Sequence, residues 1–232
     1  MCSGMDEMVT AAGGRSHFEV EVVGSRRLAD HTVEIRFQRP DGFGFLPGQK
    51  IGVAHHALHR DYSLCSSQQD AELAICVREI AQGSLSPVLA RAKAGDRFQI
   101  TPAFGYFLYQ PSTQPAVFVA TGTGIAPFAA FVHGGAGNFH LLHGVRSASE
   151  LYYRRLLSSA ARQYTPCLSQ EEETLAGKRE NFYGRVTDFL ERRLPAGDYD
   201  FYLCGRGEML RDATRIIDRR FEGSRVFAEL FF

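Results

Sequence analysis

The sequence predicts two domains: a small antiparallel β-barrel, then an α/β domain built on a doubly wound parallel sheet. In the first half, short stretches of alternating apolar and polar residues are separated by turns rich in Gly, Pro and Asp. In the second half, the continuous apolar run at residues 116–121 has the character of a strand buried on both faces. Helix and strand patterns then alternate to the end of the chain, and 232 residues suffice for two such cores.

The predicted barrel begins at residues 17–23, where Phe18, Val20 and Val22 alternate with polar residues. The same period of two places further strands at 32–37, 50–54, 72–77 and 97–100, and helical spacing places a short helix at 84–92. The barrel is predicted to end near Tyr106, and we place the domain border at about residue 110.

The second domain is predicted to alternate strands and helices. The strands are expected at 116–121, 138–143, 164–168, 200–204 and 226–231, and the helices at 125–132, 148–162, 186–193 and 208–221. The polar stretch 169–183 is predicted to be a mobile loop. The first domain then spans 17–110 and the second spans 111–232.

Composition narrows the classes of function. The 26 basic residues balance 26 acidic ones, so no net positive charge favours nucleic acid. No apolar run approaches the roughly 20 residues of a membrane span. Residues 1–16 are small and polar, without the apolar segment of a signal peptide, and are expected to form a flexible tail of a cytoplasmic protein. The five cysteines show neither metal-site nor iron–sulfur spacing, so we expect no metal here and any iron–sulfur carrier on another protein.

The stretch Arg60-Asp61-Tyr62-Ser63 has the residues that a flat ligand with a phosphate needs. Tyr62 offers a ring face for stacking, and Arg60 can hold a phosphate through a forked, charge-assisted bond. On a regular strand Arg60 and Tyr62 share one face, so a strand end or bulge would be needed to bring Ser63 to the same ligand. An ordinary barrel strand with a surface arginine would show the same four residues.

The stretch 121–127, Thr-Gly-Thr-Gly-Ile-Ala-Pro, follows the first strand of the second domain. Gly122 and Gly124 permit a tight turn and a close approach of the backbone to a phosphate, which would face the start of the next helix. A plain strand–helix turn is the alternative. Gly83-Ser84-Leu85-Ser86, with Arg78 nearby, suggests a second anion site, for which simple capping of the helix by Ser84 is the alternative.

These motifs together resemble the ferredoxin–NADP(+) reductase superfamily. The stretches RDYSLCS, GSLS, TGTGIAP, CGRGEM and the ending AELFF occur in the order found there, and LPGQ and HGVR also match. The resemblance covers residues 17–232. It implies an FAD-binding barrel, a nicotinamide-binding α/β domain, and electron transfer from NAD(P)H through FAD to a one-electron acceptor.

The resemblance also implies roles in the FAD site. Arg60 would hold an FAD phosphate, Tyr62 would stack on the isoalloxazine, and Ser63 would form a hydrogen bond near flavin N5. The FAD pyrophosphate would be bound by the second anion site, which comprises Arg78, Gly83, Ser84 and Ser86.

In the second domain the resemblance implies a coenzyme site. Its pyrophosphate would be bound by Thr121, Gly122, Thr123 and Gly124, and Cys204 would line the nicotinamide pocket. Without the resemblance, a small buried residue at the end of a strand is the favoured interpretation of Cys204. Ser63, Cys204 and Glu229 are the candidate catalytic residues, because Ser63 and Glu229 would tune flavin N5 and relay protons.

The chain ends in two aromatic residues. By resemblance Phe231 would cover the flavin face opposite Tyr62 until the nicotinamide displaces it, and Phe232 would lie near the FAD adenine. Composition alone favours two core residues of a last strand.

The choice between NADPH and NADH rests on cations for a 2′-phosphate. Arg146 and Arg185 lie where NADPH-using relatives carry arginines. The relatives' Ser-Arg-Glu, however, is here Ser169-Gln170-Glu171, and the run of glutamates 171–173 adds repulsion. Lys178 and Arg179 could compensate, and the balance of these residues favours NADPH slightly.

The function implied is a stand-alone FAD reductase that serves a ferredoxin, a flavodoxin or an oxygenase component on a separate chain. One alternative is an NAD(P)H:flavin reductase, which would use free flavin as its substrate. Another is an electron-transfer subunit without turnover of its own.

Overall fold

The computed structural model describes residues 9–10, 16–172 and 180–231. The chain divides into two compact units, Met1–Tyr106 and Phe107–Phe232, whereas the sequence places the border at about residue 110. In the described part, no helix has the length and apolarity that crossing a membrane requires.

The first unit is an antiparallel sheet that closes into a barrel. Its elements are β1 (Val9–Thr10), β2 (Ser16–Ala29), β3 (Thr32–Gln38), β4 (Lys50–His55), β5 (Leu58–Ser63), β6 (Glu72–Arg78), α1 (Ser86–Ala90) and β7 (Arg97–Ile100). The strand order is β5-β4-β7-β2-β3-β6, and β1 pairs with β2. An antiparallel bridge between Leu64 and Ile75 links the two outer ends. The Cys65 N–H strengthens this closure by donating to the Ala74 carbonyl at 2.9 Å.

Strand β2 is longer than the alternating pattern predicts, because it serves two partners. Phe18–Glu21 pairs with β7, and the stretch from Val22 onward pairs with β3, with a register shift between Val22 and Gly24. The shift interrupts the period of two, and polar residues follow it. Sequence periodicity therefore ends the strand too early, at residue 23.

The second unit contains a six-stranded sheet in which every pairing is parallel. Its strands are β8 (Ala116–Thr121), β9 (His140–Val145), β10 (Gln163–Leu168), β11 (Phe182–Tyr183), β12 (Asp200–Arg206) and β13 (Arg225–Phe231). The helices are α2 (Ala126–His133), α3 (Arg154–Ala160), α4 (Val186–Arg192) and α5 (Gly207–Arg220). The order β11-β10-β9-β8-β12-β13 reverses direction between β8 and β12. The predicted fold class is confirmed.

Different residues of the same strands cover the two faces of this sheet. On one face Phe118 stacks on Phe128 of α2, with ring centroids 4.8 Å apart. On the other, Val117 and Val119 pack in one cluster with residues of α4 and α5. The alternation within a fully apolar strand is what allows helices to cover both sides.

The predicted helix 148–162 is wrong in its first half. A 3-10 turn spans Ala148–Glu150, and Tyr153 then adopts a left-handed conformation with φ 55° before α3 begins. A non-glycine residue in this conformation interrupts an α-helix, so periodicity cannot carry the helix across it. Of the stretch predicted as a loop, Phe182–Tyr183 is strand and pairs in parallel with Cys167–Leu168. Residues 173–179 lie outside the described part.

Buried polar groups fix the sheet from within. Asp200 is 1% exposed and accepts two bonds from Arg225, at 2.7 and 2.6 Å, and one from the Ser112 hydroxyl at 2.5 Å. Burial alone would raise the pKa of Asp200, but these bonds lower it below its ordinary value. The carboxylate therefore anchors the start of β12 to the start of β13 and to the segment before β8.

Two histidines on β9 are held as neutral rings, His143 fully buried and His140 half-buried. The Nδ1 atom of His143 lies 2.8 Å from the Tyr164 hydroxyl, while its Nε2 atom has no hydrogen-bond partner in the described part. Burial, with a smaller contribution from the Arg154 charge, lowers the pKa of His143 to about 3. Burial also lowers the pKa of His140 to about 4.

These pKa values predict acid destabilisation. The unfolded chain takes up a proton near pH 6.5, whereas the folded chain does so only near pH 3 or 4. The stability gained by a neutral ring is thus complete above pH 6.5 and is lost as the pH falls towards the folded value. We expect urea unfolding at pH 5 to give a free energy of unfolding about 1–2 kcal/mol lower per histidine than at pH 7.

The variant His143→Asn keeps a hydrogen-bonding group for Tyr164 but cannot titrate in this range. Between pH 7 and pH 5, the free energy of unfolding of this variant should fall less than that of the wild type, by the about 1–2 kcal/mol expected for one histidine. An equal loss in both proteins would show that His143 does not control the acid response.

Candidate functional site

In the barrel, the register of β4 and β5 decides which side chains can meet. The pairing runs without a shift from His55↔Leu58 to Lys50↔Ser63. Arg60 and Tyr62 therefore share one face of the strand, while Ser63 points to the other face at the strand's last position. The structure brings Arg60 and Tyr62 together as predicted and contains no bulge here that would turn Ser63 towards them.

Tyr62 is half-buried and packs against the barrel core. This burial raises the pKa of Tyr62 to about 12, and the positive charge of Arg60 partly offsets the effect. The guanidinium thus lies close enough to act on the phenol, and it remains exposed. A supported ring beside an exposed cation fits a planar ligand that carries a phosphate.

The opposite face of this hairpin holds a cation that the sequence analysis missed. The Lys50 Nζ atom lies 3.5 Å from Asp61 Oδ2 and 5.3 Å from the centroid of the Phe104 ring. Lys50 is also the direct cross-strand partner of Ser63, which is 3% exposed. A signal was available, because Lys50 begins the strand predicted at 50–54, directly after a turn.

The Gly83–Ser86 segment forms a tight loop before α1. The Gly83 N–H donates to the Ile80 carbonyl at 2.7 Å, and the Ser86 hydroxyl accepts from the Ile80 N–H at 3.2 Å. A Cβ atom on Gly83 would lie 2.7 Å from the Ser86 oxygen and 3.0 Å from the Ile80 carbonyl, so a larger residue would have to displace the Ser86 hydroxyl. Ser84 is exposed and does not cap α1, whose N-cap is Leu85 without a side-chain bond. The half-buried Arg78 ends β6.

In the second unit, the predicted glycine turn forms a 3-10 turn, Gly122–Ile125, directly before α2. Gly122 has φ 55°, and no atom lies within 4 Å of the place where its Cβ would be. Gly122 therefore serves the backbone conformation and leaves open space beside the turn. Thr121 and Thr123 flank this space and are half-buried.

Gly124 has a different task, which is to allow two backbones to touch. A Cβ atom there would overlap the carbonyl oxygen of Cys204 and lie 2.9 Å from the Cα of Gly205. A Cβ on Gly205 would in turn overlap the Thr121 hydroxyl. A Cβ on Gly144 would lie 2.8 Å from a methyl group of Val186. Gly144 and Gly205 were not predicted as site residues.

These glycines lie where β8, β9 and β12 end, and the sheet order reverses between β8 and β12. The carboxyl edge at such a reversal is where open α/β sheets bind ligands. Among these glycines, Gly122 leaves open space beside the turn, while Gly124, Gly144 and Gly205 allow close contacts with neighbouring strands and side chains. The edge can thus accept a phosphate group.

The strand register brings two predicted catalytic residues side by side. Cys204 pairs with Ala120 on one side and with Glu229 on the other. Cys204 is fully buried and Glu229 is half-buried. Phe231 ends β13 opposite Arg206 and is half-buried, while Phe232 lies outside the described residues.

The predicted phosphate cations are placed unequally. Arg146 follows β9 and forms an ion pair with Glu150, with 2.5 Å between guanidinium Nη2 and carboxylate Oε1. Arg185 is exposed. Its backbone N–H donates to Asp188 Oδ2 at 2.9 Å, and this bond caps the start of α4. Ser169 and Gln170 run beside the end of β9, where the Gln170 N–H donates to the Arg146 carbonyl at 2.9 Å. Lys178, Arg179 and Glu173 lie outside the described part.

Comparison with protein families gives a match to the oxidoreductase NAD-binding domain over residues 118–215. Two curated relatives cover most of the chain. The toluate 1,2-dioxygenase electron transfer component of Pseudomonas putida is 29% identical over 216 residues, which are 86% of this chain and 63% of the relative. Ferredoxin–NADP reductase B of Sorangium cellulosum is 28% identical over 215 residues, or 83% of this chain and 88% of the relative. The chain therefore spans less than two thirds of the first relative.

Solved structures show the same fold. A ferredoxin–NADP(+) reductase from Neisseria gonorrhoeae, solved with bound FAD and NADP, superposes with a TM-score of 0.79 at 19% identity, covering 93% of this chain and 99% of that one. A cytochrome P450 reductase from Amycolatopsis also gives 0.79, at 24% identity, covering 94% and 71%.

The two glycines of the turn give a matched pair of variants. Gly124→Ala places a methyl group against the Cys204 backbone and should lower the free energy of unfolding by about 3 kcal/mol or more. Gly122→Ala meets open space and should cost only the left-handed conformation, about 1–2 kcal/mol. Chemical unfolding of both variants measures the difference. A larger loss for Gly122→Ala would contradict the close contact between β8 and β12.

Proposed function

We propose, from its confirmed resemblance to the ferredoxin–NADP(+) reductase superfamily, that this chain is a flavoprotein reductase. It takes hydride from a reduced nicotinamide coenzyme onto FAD and delivers electrons to a one-electron acceptor protein. The observation that carries the proposal is the glycine-lined carboxyl edge at the reversal of the sheet, where Gly122 leaves room beside a helix start. It has the chemistry of a dinucleotide site.

The barrel residues fit FAD. Arg60 binds a phosphate and Tyr62 stacks on the isoalloxazine, because a half-buried ring and an exposed cation share one face. Ser84 and the backbone amides before α1, together with Arg78, bind the pyrophosphate, while Gly83 and Ser86 hold the loop in shape. Bound FAD supplies a group that accepts an electron pair and releases electrons singly.

The α/β residues bind and orient the coenzyme. The Thr121–Gly124 turn holds its pyrophosphate, and Cys204 packs beside the nicotinamide. Glu229, the cross-strand neighbour of Cys204, holds a proton near the reacting ring. The predicted contact of Ser63 with flavin N5 is not part of the proposal, because Ser63 is 3% exposed and lies on the strand face opposite Tyr62. These side chains place and stabilise the reactants, and the redox chemistry belongs to the cofactor.

The acceptor is a small electron-transfer protein on a separate chain, such as a ferredoxin, a flavodoxin or an oxygenase component. The relatives named as an electron transfer component and as a ferredoxin–NADP reductase support this part of the proposal. A cytoplasmic location is part of the proposal as well.

The test is flavin content and turnover of the purified protein. We expect about one FAD per chain. With ferricyanide as an artificial one-electron acceptor, we also expect its steady reduction by NADH or NADPH. Colourless protein that reduces added flavin would replace the proposal with a flavin reductase. Bound FAD without turnover would indicate a subunit that only relays electrons.

A variant of the ring face locates the flavin. Tyr62→Ala removes the stacking surface and should weaken FAD binding about two- to tenfold, seen as lower FAD retention after gel filtration, since stacking contributes roughly 0.5–1.5 kcal/mol beyond area burial. Tyr62→Phe keeps the ring and should retain FAD as the wild type does. If Tyr62→Ala retains FAD fully, Tyr62 does not stack on the flavin.

A further inference from the structure

The segment after β9 carries a charge arrangement that the sequence alone does not reveal. Arg146 follows the strand's last residue, at the carboxyl edge and about 20 residues beyond the glycine turn. In dinucleotide-binding folds this is the place of the group that reads the adenosine ribose: an acid binds the 2′-hydroxyl and an arginine binds a 2′-phosphate. The charge at this position therefore decides which coenzyme fits.

The guanidinium of Arg146 is already paired with the carboxylate of Glu150. Its Oε1 atom accepts from Nη2 at 2.5 Å and from Nε at 3.1 Å, and its Oε2 atom accepts from Nε at 3.4 Å. Its Oε2 atom also accepts the backbone N–H of Arg146 at 3.2 Å. The glutamate side chain is 14% exposed and that of Arg146 is 46% exposed. The carboxylate is thus the better buried partner, and Arg146 donates four hydrogen bonds to it.

A second carboxylate lies on the same segment. Glu171 Oε1 accepts the Ala148 N–H at 2.6 Å, at the start of the 3-10 turn that contains Glu150. Gln170 is exposed and replaces the arginine of the relatives' Ser-Arg-Glu. Its backbone N–H donates to the Arg146 carbonyl. Arg146, Glu150 and Glu171 together carry a formal charge of −1, which repels a phosphate dianion.

We infer that this chain selects NADH over NADPH, and that Glu150 is the residue that determines this selectivity. The inference rests on the proposed function, and it names the coenzyme of the same site. A 2′-phosphate would have to displace Glu150 from Arg146 while lying near Glu171. A ribose hydroxyl can instead donate to a carboxylate and leaves the ion pair intact.

Arg185 is the other guanidinium that could receive a phosphate. It is exposed, and within the described part its side chain forms no ion pair. If Arg185 alone sufficed for a 2′-phosphate, the ion pair at Arg146 would not affect selectivity. The experiment separates these cases.

The first readout is binding and needs no turnover. Calorimetry compares adenosine 2′,5′-bisphosphate, which carries the 2′-phosphate, with ADP, which lacks it. The wild type should bind ADP at least as tightly. Glu150→Gln releases Arg146 and should bind the bisphosphate about tenfold more tightly, with ADP changed less than threefold. Glu191→Gln, which breaks the exposed pair with Arg219 between α4 and α5, is the matched control and should change neither.

The second readout is kcat/KM for the two coenzymes with ferricyanide. The wild type should favour NADH at least tenfold, and Glu150→Gln should reduce this ratio about tenfold. If Glu150→Gln does not fold, Gln170→Arg adds a cation at an exposed position and should shift the ratio in the same direction.

Tighter binding of the bisphosphate by the wild type, or an unchanged ratio in the variants, would overturn the inference. If neither coenzyme is oxidised, the proposed function fails, and the calorimetric comparison still decides the selectivity of the nucleotide site.

Discussion

The contact between Gly124 and the Cys204–Gly205 backbone is the constraint on which the second unit's candidate site depends. No side chain larger than hydrogen fits at either glycine without displacing backbone or the Thr121 hydroxyl. The turn after β8 can therefore lie directly on the end of β12, at the point where the strand order reverses. Moving these ends apart would separate the amides of the turn from Cys204 and from its neighbour Glu229. The close contact thus gives the proposed phosphate-binding edge its shape.

In the barrel, the candidate site depends on the unbroken register between β4 and β5. Because β4 and β5 pair without a shift, Arg60 and Tyr62 are held on one face and Ser63 faces Lys50 on the other. The Tyr62 ring is supported by the barrel core, so stacking on it needs little reordering of the side chain. Lys50 brings a positive charge to the Ser63 face, where it pairs with Asp61 and lies against Phe104.

Much of this could be read from the sequence, because the relevant signals are local. Periodicity located the strands, and the turn at Gly122 and Gly124 followed from its place between an apolar strand and a helix. Features that depend on tertiary contacts were not visible. The left-handed Tyr153 divides a predicted helix, and a register shift lets β2 continue into polar sequence. The roles of Gly144 and Gly205 become clear only from what their missing side chains would touch. Arg146 was identified as a cation, but its capture by Glu150 requires the fold of the segment after β9.

The central claim is that the carboxyl edge around the Gly122–Gly124 turn is the nucleotide site. Hydrogen exchange of the purified protein with and without NAD(+) tests it most directly, because the oxidised coenzyme binds without turnover. The account predicts slower exchange in the turn after β8, in the segment after β9 and at the junction of β12 with α5. Unchanged exchange in these three segments, with protection at the opposite edge around Asp200 instead, would contradict it.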